Sequence, residues 1–239
     1  MANSYFKFKH FTIEQNMAAM KVGTDGVLLG AWVNCNNARV ILDVGTGTGL
    51  IALMCAQKNQ YANIDALEID NMAFVQAGIN IENSPWNHRI VAINDCLQHF
   101  SVVASKKYDL IVSNPPFFNN SLKNVCEQKS MARHTETLTY MELIKGVVSL
   151  LSDKGRFAVV LPFDAFGDFE KYANENLLYL QKVLKVKPTP QKQAKRVLME
   201  YGFEKISDVD EKVMVVEEFG RHGYSDEYKE LTKDFYLKF

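Results

Sequence analysis

The sequence predicts an α/β protein with a doubly wound, mostly parallel sheet, and three observations support this fold class. Near-continuous apolar runs such as ARVILDV at 38–44 are typical of strands that are buried on both faces. Helix-like segments alternate with these runs from about residue 38 onward, which is the order expected of a parallel sheet covered by helices. The chain has 239 residues, of which 47% are hydrophobic and 23% charged, so it can bury a core of ordinary size.

The individual elements are predicted from the period of the apolar residues. Strands are expected at 38–44, 63–69, 89–94, 108–113 and 156–162, and helices at 50–57, 72–82 and 139–151, the last after the capping residue Thr137. The last third adds three strand-like segments, YLQKVLKVKPTP, KRVLMEYGF and KVMVVEEF, whose alternating or exposed faces suit antiparallel pairing at one sheet edge. We expect one domain over residues 1–239, with a short N-terminal extension over about 1–37.

The composition excludes several classes of protein. The net charge of −1 gives no overall attraction to nucleic acid or membrane, so a site for a polyanion requires local clustering of basic residues. No run approaches the roughly 18 apolar residues of a membrane span, and the N-terminal MANSYFKFKHF lacks the apolar core of a signal peptide. The four cysteines lack metal-like spacing, and Cys55 and Cys96 lie among apolar neighbours, as buried free thiols would. We expect a cytoplasmic monomer without a bound metal or an obligate protein partner.

A glycine-rich turn, LDVGTGTGLIAL, joins the first strand of this pattern to the helix that follows it. Asp43 ends the strand, and Gly45, Gly47 and Gly49 allow unusual backbone angles and let a ligand approach the free N–H groups of the helix N-terminus. Glu68 closes the second strand, where a carboxylate can accept from both hydroxyls of a ribose. The pattern favours a nucleoside-containing cofactor over a turn that only packs the helix against the strand.

A third acidic residue, Asp95, ends the third strand in VAINDCLQHF. Its carboxylate can accept from the exocyclic amine of an adenine, and the adjacent Cys96 N–H can donate to a ring nitrogen, although Asp is also a common helix cap. Ligands of open α/β sheets bind beside the carboxyl ends of the strands. Three carboxylates at the tips of three successive strands therefore predict a ligand site at that edge.

The motif SNPPFF at 113–118 follows the fourth strand, at the same edge. An arylamine such as N6 of adenine is a poor nucleophile because its lone pair is delocalised into the ring. The side-chain oxygen of Asn114 and the carbonyl of Pro115 can each accept one N–H of such an amine, and Pro116 holds both acceptors rigid. Phe117 offers a flat ring to a base extruded from its stack. The alternative is a Pro-Pro strand terminator followed by core aromatics.

Together, LDVGTGTG, LEID, NDC and SNPPFF resemble the class I S-adenosylmethionine-dependent methyltransferases that modify amino groups. The segments MKVGTDGVLLGAW, KQAKRVLMEYGF and YKELTKDFYLKF narrow the resemblance to bacterial tRNA (adenine-N6)-methyltransferases that act on adenine 37, beside the anticodon of a valine tRNA. This resemblance covers nearly the whole chain. It implies a Rossmann-like, seven-stranded sheet with an antiparallel edge, S-adenosylmethionine as methyl donor, S-adenosylhomocysteine as product and tRNA as partner.

The resemblance also implies a set of cofactor-binding residues. The set is Lys21, Thr24, Asp25, Asp43, Gly45, Thr46, Gly47, Gly49, Glu68, Ile69, Asp95, Cys96 and Asn114. Its first three members would close over the methionine end of the cofactor. Asp43 and the glycines would hold the amine and carboxylate, Glu68 the ribose and Asp95 the adenine.

Candidate tRNA contacts lie in local clusters of positive charge. Residues 177–199 contain six basic residues and no acidic one, namely Lys182, Lys185, Lys187, Lys192, Lys195 and Arg196. This strip can follow a phosphate backbone, although lysines also protect exposed edge strands from aggregation. Arg133 and His134 follow SNPPFF and can reach a phosphate near the flipped base. An amine that attacks a sulfonium methyl sheds its proton afterwards, so the chemistry requires no catalytic base at His134.

Several alternatives remain open at this point. Asn-Pro-Pro-aromatic motifs also occur in methyltransferases for N2 of ribosomal guanine, N4 of cytosine and the side-chain amide of a protein glutamine. The lysine strip favours RNA over a protein substrate, and the compact size favours a small RNA over a long DNA site. A dinucleotide-dependent oxidoreductase would show GxGxxG and gives SNPPFF no role. A non-catalytic RNA-binding module would not need an intact Asn114-Pro115-Pro116-Phe117.

Overall fold

The main sheet contains eight strands in the computed structural model, which describes residues 3–116 and 138–238. These strands are β3 Val40–Val44, β4 Asn63–Glu68, β5 Ile90–Asn94, β6 Tyr108–Ser113, β7 Leu151–Pro162, β8 Tyr179–Lys187, β9 Arg196–Gly202 and β10 Asp210–Val215. The helices are α1 Thr24–Trp32, α2 Leu50–Lys58, α3 Asn71–Glu82, α4 Leu97–Val103, α5 Tyr140–Leu150, α6 Phe166–Glu175 and α7 Asp226–Thr232. A separate two-stranded sheet pairs β1 Tyr5–Lys7 with β2 Thr12–Glu14.

The spatial order of the strands is β10-β8-β9-β7-β6-β3-β4-β5. Only β9 runs against the others, between β7 and β8. The mostly parallel, doubly wound sheet is therefore confirmed, but the seven strands implied by the resemblance are one too few. All three strand-like segments of the last third enter the sheet, and KVMVVEEF, expected to pair antiparallel, contributes β10, which pairs in parallel with β8 from Asp210↔Lys182 to Val215↔Lys187. The backbone groups on the far side of β8 would otherwise lack partners. The antiparallel strand therefore lies inside the sheet and β10 forms its edge.

The three predicted helices, α2, α3 and α5, begin and end close to the predicted positions, with one revision, whereas the sequence predicts no bounds for α1, α4, α6 and α7. The α5 helix starts with a capping box, in which the Thr139 side chain accepts from the Glu142 N–H and the Glu142 side chain accepts from the Thr139 N–H. Thr139 is thus the N-cap, whereas the predicted cap Thr137 lies outside the described residues. Strand β7 begins at Leu151, directly after α5 and earlier than predicted, because Leu151 already pairs with Tyr108 of β6.

Apolar side chains from alternate strand positions form two layers, one on each face of the sheet. In β6, Leu110 and Val112 join the layer under α1 and α2, while Ile111 joins the layer under α4, α5 and α6. This alternation is what a strand buried on both faces requires. No helix within residues 3–116 and 138–238 is long and apolar enough to cross a membrane.

The N-terminal extension packs against the C-terminal end of the chain. Phe8 and Phe11 stack with their ring centroids 4.7 Å apart, and both belong to the same apolar layer as Phe235. The Lys9 N–H donates to the Phe235 carbonyl at 2.9 Å. These contacts attach β1 and β2 to the core and leave residues 15–22 to pass over the carboxyl end of the sheet.

Candidate functional site

The carboxyl ends of β3, β4, β5 and β6 surround a cavity of about 270 Å³. It lies where the strand order reverses between β3 and β6, which is the usual ligand position of a doubly wound sheet. Eight of the predicted site residues line it, namely Gly45, Gly47, Glu68, Ile69, Asp95, Cys96, Asn114 and Pro116. The convergence of predicted residues from four strands at one cavity makes it the candidate site.

The glycine turn after β3 is held open toward this cavity. Gly45, Gly47 and Gly49 have φ angles of 70°, 58° and 83°, which residues other than glycine rarely adopt. The N–H groups of Gly45 and Thr46 donate to the Leu67 carbonyl of β4 at 2.9 and 3.0 Å. A Cβ at Gly45 or Gly47 would meet no heavy atom within 4 Å, so the backbone there faces free space. A ligand can therefore approach the main chain closely at this turn.

Glu68 is fixed at the tip of β4 by two backbone donors. Its Oε2 accepts from the Gly47 N–H at 2.8 Å and its Oε1 from the Asp70 N–H at 2.9 Å. The residue is only 8% exposed, yet its side chain lines the cavity. Each carboxylate oxygen keeps a further lone pair, so Glu68 can still accept from a ligand hydroxyl.

Asp95 lies just after β5 and is held in a similar way. Its Oδ1 accepts from the Cys96 N–H at 2.8 Å, and its Oδ2 lies 2.7 Å from His99 Nδ1, one helical turn further on. Sequence reasoning missed His99, although the spacing of four residues in DCLQH could have indicated it. The Cys96 N–H, the predicted donor to a ring nitrogen, donates to Asp95 in the structure. The prediction that the Cys96 thiol is buried is wrong, because Cys96 caps α4 at the cavity wall and is only half-buried there.

Asp43 is wholly buried beneath the glycine turn and does not line the cavity. Its Oδ2 accepts from Thr46 Oγ1 at 2.6 Å and from the Ala52 N–H at 3.1 Å. Its Oδ1 has no hydrogen-bond partner among residues 3–116 and 138–238. Burial raises the pKa of Asp43 to about 7, with a smaller contribution from the nearby charge of Glu68. In the structure Asp43 shapes the turn, and direct contact with a ligand stays a prediction.

Asn114 presents an unpaired acceptor at the tip of β6. Its Oδ1 is buried and has no hydrogen-bond partner in the described part of the chain, although the side chain lines the cavity. Pro115 is buried and Pro116 is exposed at the cavity wall. A Cβ at Gly26 of α1 would lie only 3.1 Å from Leu50 Cδ2, so glycine there leaves room for the Leu50 side chain, while the Asn114 amide would be an ordinary contact at 3.9 Å. A buried acceptor without a donor is costly unless a ligand supplies one.

The residues predicted to cover the methionine end of a cofactor are not among those that line the cavity in the structure. Ala18, Ala19 and Met20 line the cavity, whereas Lys21, Thr24, Asp25, Thr46 and Gly49 do not. Asp25 instead faces β9, where its Oδ2 lies 2.8 Å from Arg196 Nε. This ion pair joins the first turn of α1 to the start of β9. Contact of these residues with a cofactor stays a prediction.

The predicted basic strip divides into engaged and free residues. Lys182 lies 4.8 Å from the Trp32 ring centroid, Lys185 pairs with Glu211 at 2.5 Å, Lys187 donates to the Pro190 carbonyl at 2.5 Å, and Arg196 pairs with Asp25. Lys192 and Lys195 are exposed in the turn between β8 and β9, and their ammonium groups have no partner within the described ranges. Phe117, Arg133 and His134 lie outside the described residues.

Comparison with known proteins identifies relatives along the entire chain. The methyltransferase small domain family matches residues 18–167. A protein of Bacteroides fragilis is 48% identical over 242 residues, and one of Trichodesmium erythraeum is 45% identical over 241 residues. The alignments cover 100% of this chain and 100% of each relative, and both relatives are named tRNA1(Val) (adenine(37)-N6)-methyltransferase.

Solved structures with the same fold are more distant in sequence. A predicted O-methyltransferase of Agrobacterium tumefaciens has a TM-score of 0.67 at 15% identity, covering 88% of this chain and 96% of that one. The M. jannaschii protein TYW2, solved in complex with AdoMet, has a TM-score of 0.57 at 15% identity, covering 84% of this chain and 86% of that one. These similarities confirm the predicted Rossmann-like methyltransferase fold.

Proposed function

The chain belongs to the methyltransferase small domain family, together with the tRNA1(Val) (adenine(37)-N6)-methyltransferases that it matches over their full length, and we propose that it methylates an adenine of tRNA. The methyl group of S-adenosylmethionine would go to the exocyclic N6, at adenine 37 of a valine tRNA. The observation that carries this proposal is the buried Oδ1 of Asn114, an acceptor without a donor at the wall of the cavity. An exocyclic amine supplies the missing N–H.

Groups at the cavity wall are chemically suited to bind S-adenosylmethionine. The open backbone at Gly45 and Gly47 would hold its methionine end, Glu68 its ribose hydroxyls and Asp95 its adenine amine. Glu68 and Asp95 are already oriented by backbone N–H groups, so little order is lost when they bind. When bound, the cofactor supplies an electrophilic methyl group on a sulfonium ion.

Asn114 and Pro115 would activate the amine by accepting its two N–H bonds. The Oδ1 of Asn114 takes one, and the Pro115 carbonyl takes the other. Both acceptors draw the nitrogen toward a tetrahedral geometry and so localise its lone pair for attack. Pro115 is buried, and a proline at 116 restricts residue 115 to extended conformations, so neither acceptor reorganises during the reaction. The nitrogen loses its proton after transfer, which leaves no role for a general base.

Support for an RNA acceptor comes from the other end of the same edge. Lys192 and Lys195 are exposed beside the carboxyl end of β7, as the Phe163 N–H donates to the Lys195 carbonyl at 3.1 Å. Free ammonium groups at the same edge of the sheet as the cavity suit phosphates near an extruded base. The names of the full-length relatives favour adenine N6 over guanine N2, cytosine N4 and protein glutamine.

The test is methyl transfer by the purified protein from labelled S-adenosylmethionine to a valine tRNA transcript. Nucleoside mass spectrometry is expected to find N6-methyladenosine, and digestion into oligonucleotides should place it at adenine 37. A transcript with guanine at that position should accept no methyl group. Appearance of N2-methylguanosine or N4-methylcytidine, or methylation of a glutamine-containing protein, would show that the acceptor is a different amino group. The proposal of a methyltransferase would then stand, and that of adenine N6 would fall. Binding of NAD in place of S-adenosylmethionine would overturn the proposal entirely.

A further inference from the structure

We propose that residues 217–224, here called the Phe219 hairpin, form a contact for tRNA in which Phe219 stacks against an unpaired base. This inference rests on the proposed function and assigns a second tRNA contact outside the cavity. The hairpin follows β10 and contains the sequence EEFGRHGY. It lies more than half the sheet away from the cavity in strand order.

The position of the hairpin places it beside the free lysines. The Val216 N–H donates to the Lys187 carbonyl at 2.9 Å, and the Glu217 N–H donates to the Pro188 carbonyl at 3.0 Å. Lys187 ends β8, and Pro188 begins the turn between β8 and β9 that contains Lys192 and Lys195. The hairpin and that turn therefore extend side by side from the carboxyl edge of the sheet, the same edge at which Asn114 lies.

The Phe219 hairpin is a tight and well-bonded turn. Glu217 and Tyr224 form an antiparallel bridge, and the N–H groups of Glu218 and Phe219 both donate to the Gly223 carbonyl, at 2.9 and 3.0 Å. A Cβ at Gly223 would come within 2.6 Å of the Phe219 carbonyl oxygen, so only glycine fits there. Such a turn holds its side chains in place before binding, which lowers the entropic cost of a contact.

The side chain that this turn presents is apolar and faces water. Phe219 is 71% exposed, and within the described residues its ring contacts no other aromatic ring. Arg221 and His222 are exposed on the same turn. A large exposed aromatic next to basic groups is the arrangement with which proteins stack the bases of single strands.

The local charge indicates which interaction dominates. Glu217 accepts from the His222 N–H at 2.9 Å, and the exposed carboxylates of Glu218, Asp226 and Glu227 lie within six residues of Arg221 in the sequence, with Asp226 paired to Lys229. These carboxylates offset the positive charge of the hairpin, so phosphate attraction alone would be weak there. Stacking on Phe219 is therefore the main contribution, while the neighbouring lysines supply the phosphate contacts.

Replacement of Phe219 tests the stacking, and the chain offers a matched control. Phe219→Ala is expected to weaken tRNA binding by roughly 5- to 150-fold and to leave S-adenosylmethionine binding unchanged. Phe219→Trp should keep the affinity for tRNA close to that of the wild type, because the indole ring can also stack on a base. Tyr61→Ala removes an aromatic side chain that is 86% exposed just before β4, at the opposite edge of the sheet, and should change neither. Fluorescence anisotropy with labelled tRNA measures the first quantity and calorimetry the second.

The salt dependence separates stacking from charge. Phe219→Ala should lower the affinity at every salt concentration without changing the slope of log affinity against log salt, whereas Arg221→Gln should reduce that slope by no more than about 0.7–0.9. Wild-type affinity in a folded Phe219→Ala variant would overturn the inference and leave methylation of tRNA intact. Loss of affinity in Phe219→Trp as well would also overturn it, since any stacking ring should serve. A wild-type protein that neither binds nor methylates tRNA would instead refute the proposed function.

Discussion

The carboxyl edge of the sheet consists of two halves that use their polar side chains differently. In the half at the ends of β3 to β6, called the cofactor half after its proposed role, acidic side chains accept from backbone N–H groups and line one cavity, as Glu68 does with the N–H groups of Gly47 and Asp70. In the half at the ends of β7 to β10, called the acceptor half after its proposed role, most of the basic strip is engaged with other groups of the chain. Only Lys192 and Lys195 of that strip remain free in the described structure.

This difference shows why motifs predict a site better than counts of charge do. A carboxylate at a strand tip meets backbone donors that the same β–turn–α segment supplies, so its position follows from local sequence. The partner of a lysine on a strand depends on which strand or helix becomes its neighbour. Lys185 meets Glu211 because β10 pairs with β8, and Arg196 meets Asp25 because α1 begins beside β9. The number of basic residues therefore overstates the charge available to RNA.

Asn114→Ala has the largest expected effect and tests the centre of the cofactor half. Turnover should fall on the order of 10²-fold or more, because the lost acceptor acts mainly in the transition state. The affinity for S-adenosylmethionine should stay within a few-fold of wild type. Asn114→Asp keeps an oxygen acceptor and should lose less turnover than the alanine variant. Single-turnover kinetics with saturating tRNA measures the rate of methyl transfer. A rate for Asn114→Ala within tenfold of wild type would contradict the role of Asn114 as an acceptor for the amine.

Glu68→Ala follows in expected size and tests whether the ends of β3 to β6 hold the cofactor. Loss of bonds to an ionised acceptor should cost roughly 1.5–3 kcal/mol, or about 10- to 150-fold in the affinity for S-adenosylmethionine. Glu200→Gln is the control, because Glu200 is equally buried but pairs with Arg156 on β7, away from the cavity. Calorimetry that finds equal affinities for both variants and the wild type would mean that the cavity binds something else.

A pair of double variants tests the division of the basic strip directly. Lys192→Gln with Lys195→Gln should reduce the slope of log tRNA affinity against log salt by roughly 1.4–1.8, since each free lysine neutralises one phosphate. Lys182→Gln with Lys185→Gln removes the same charge from residues that are engaged with Trp32 and Glu211, and the slope should not change. If both double variants gave the same slope of log affinity against log salt, the proposed difference between free and engaged lysines would be wrong.

The last prediction concerns the free energy of unfolding, and not binding or turnover, and it tests the buried carboxyl of Asp43. The pKa of Asp43 is raised to about 7, so the folded protein keeps a proton that the unfolded chain releases near pH 4. Asp43 should therefore make the free energy of unfolding fall between about pH 4 and pH 7, by at most about 1.4 kcal/mol per pH unit. Asp43→Asn removes this titration and should flatten the curve relative to wild type. Urea denaturation at several pH values measures it, and parallel curves would contradict the assigned burial.

The amino-acid sequence by itself determined the β–α alternation, the strand tips at which Asp43, Glu68 and Asp95 lie, and the placement of Asn114 at the same edge. These features are encoded within short segments, because the spacing of apolar residues sets helix or strand and because glycine and proline set the local backbone conformation. Only the tertiary structure decided that β10 pairs with β8 in parallel, that Asp43 lies beneath the turn, that four of six basic residues are engaged and that the Phe219 hairpin adjoins the turn with the free lysines. Each of these depends on contacts between segments far apart in the chain, and such contacts form only when the whole sheet assembles.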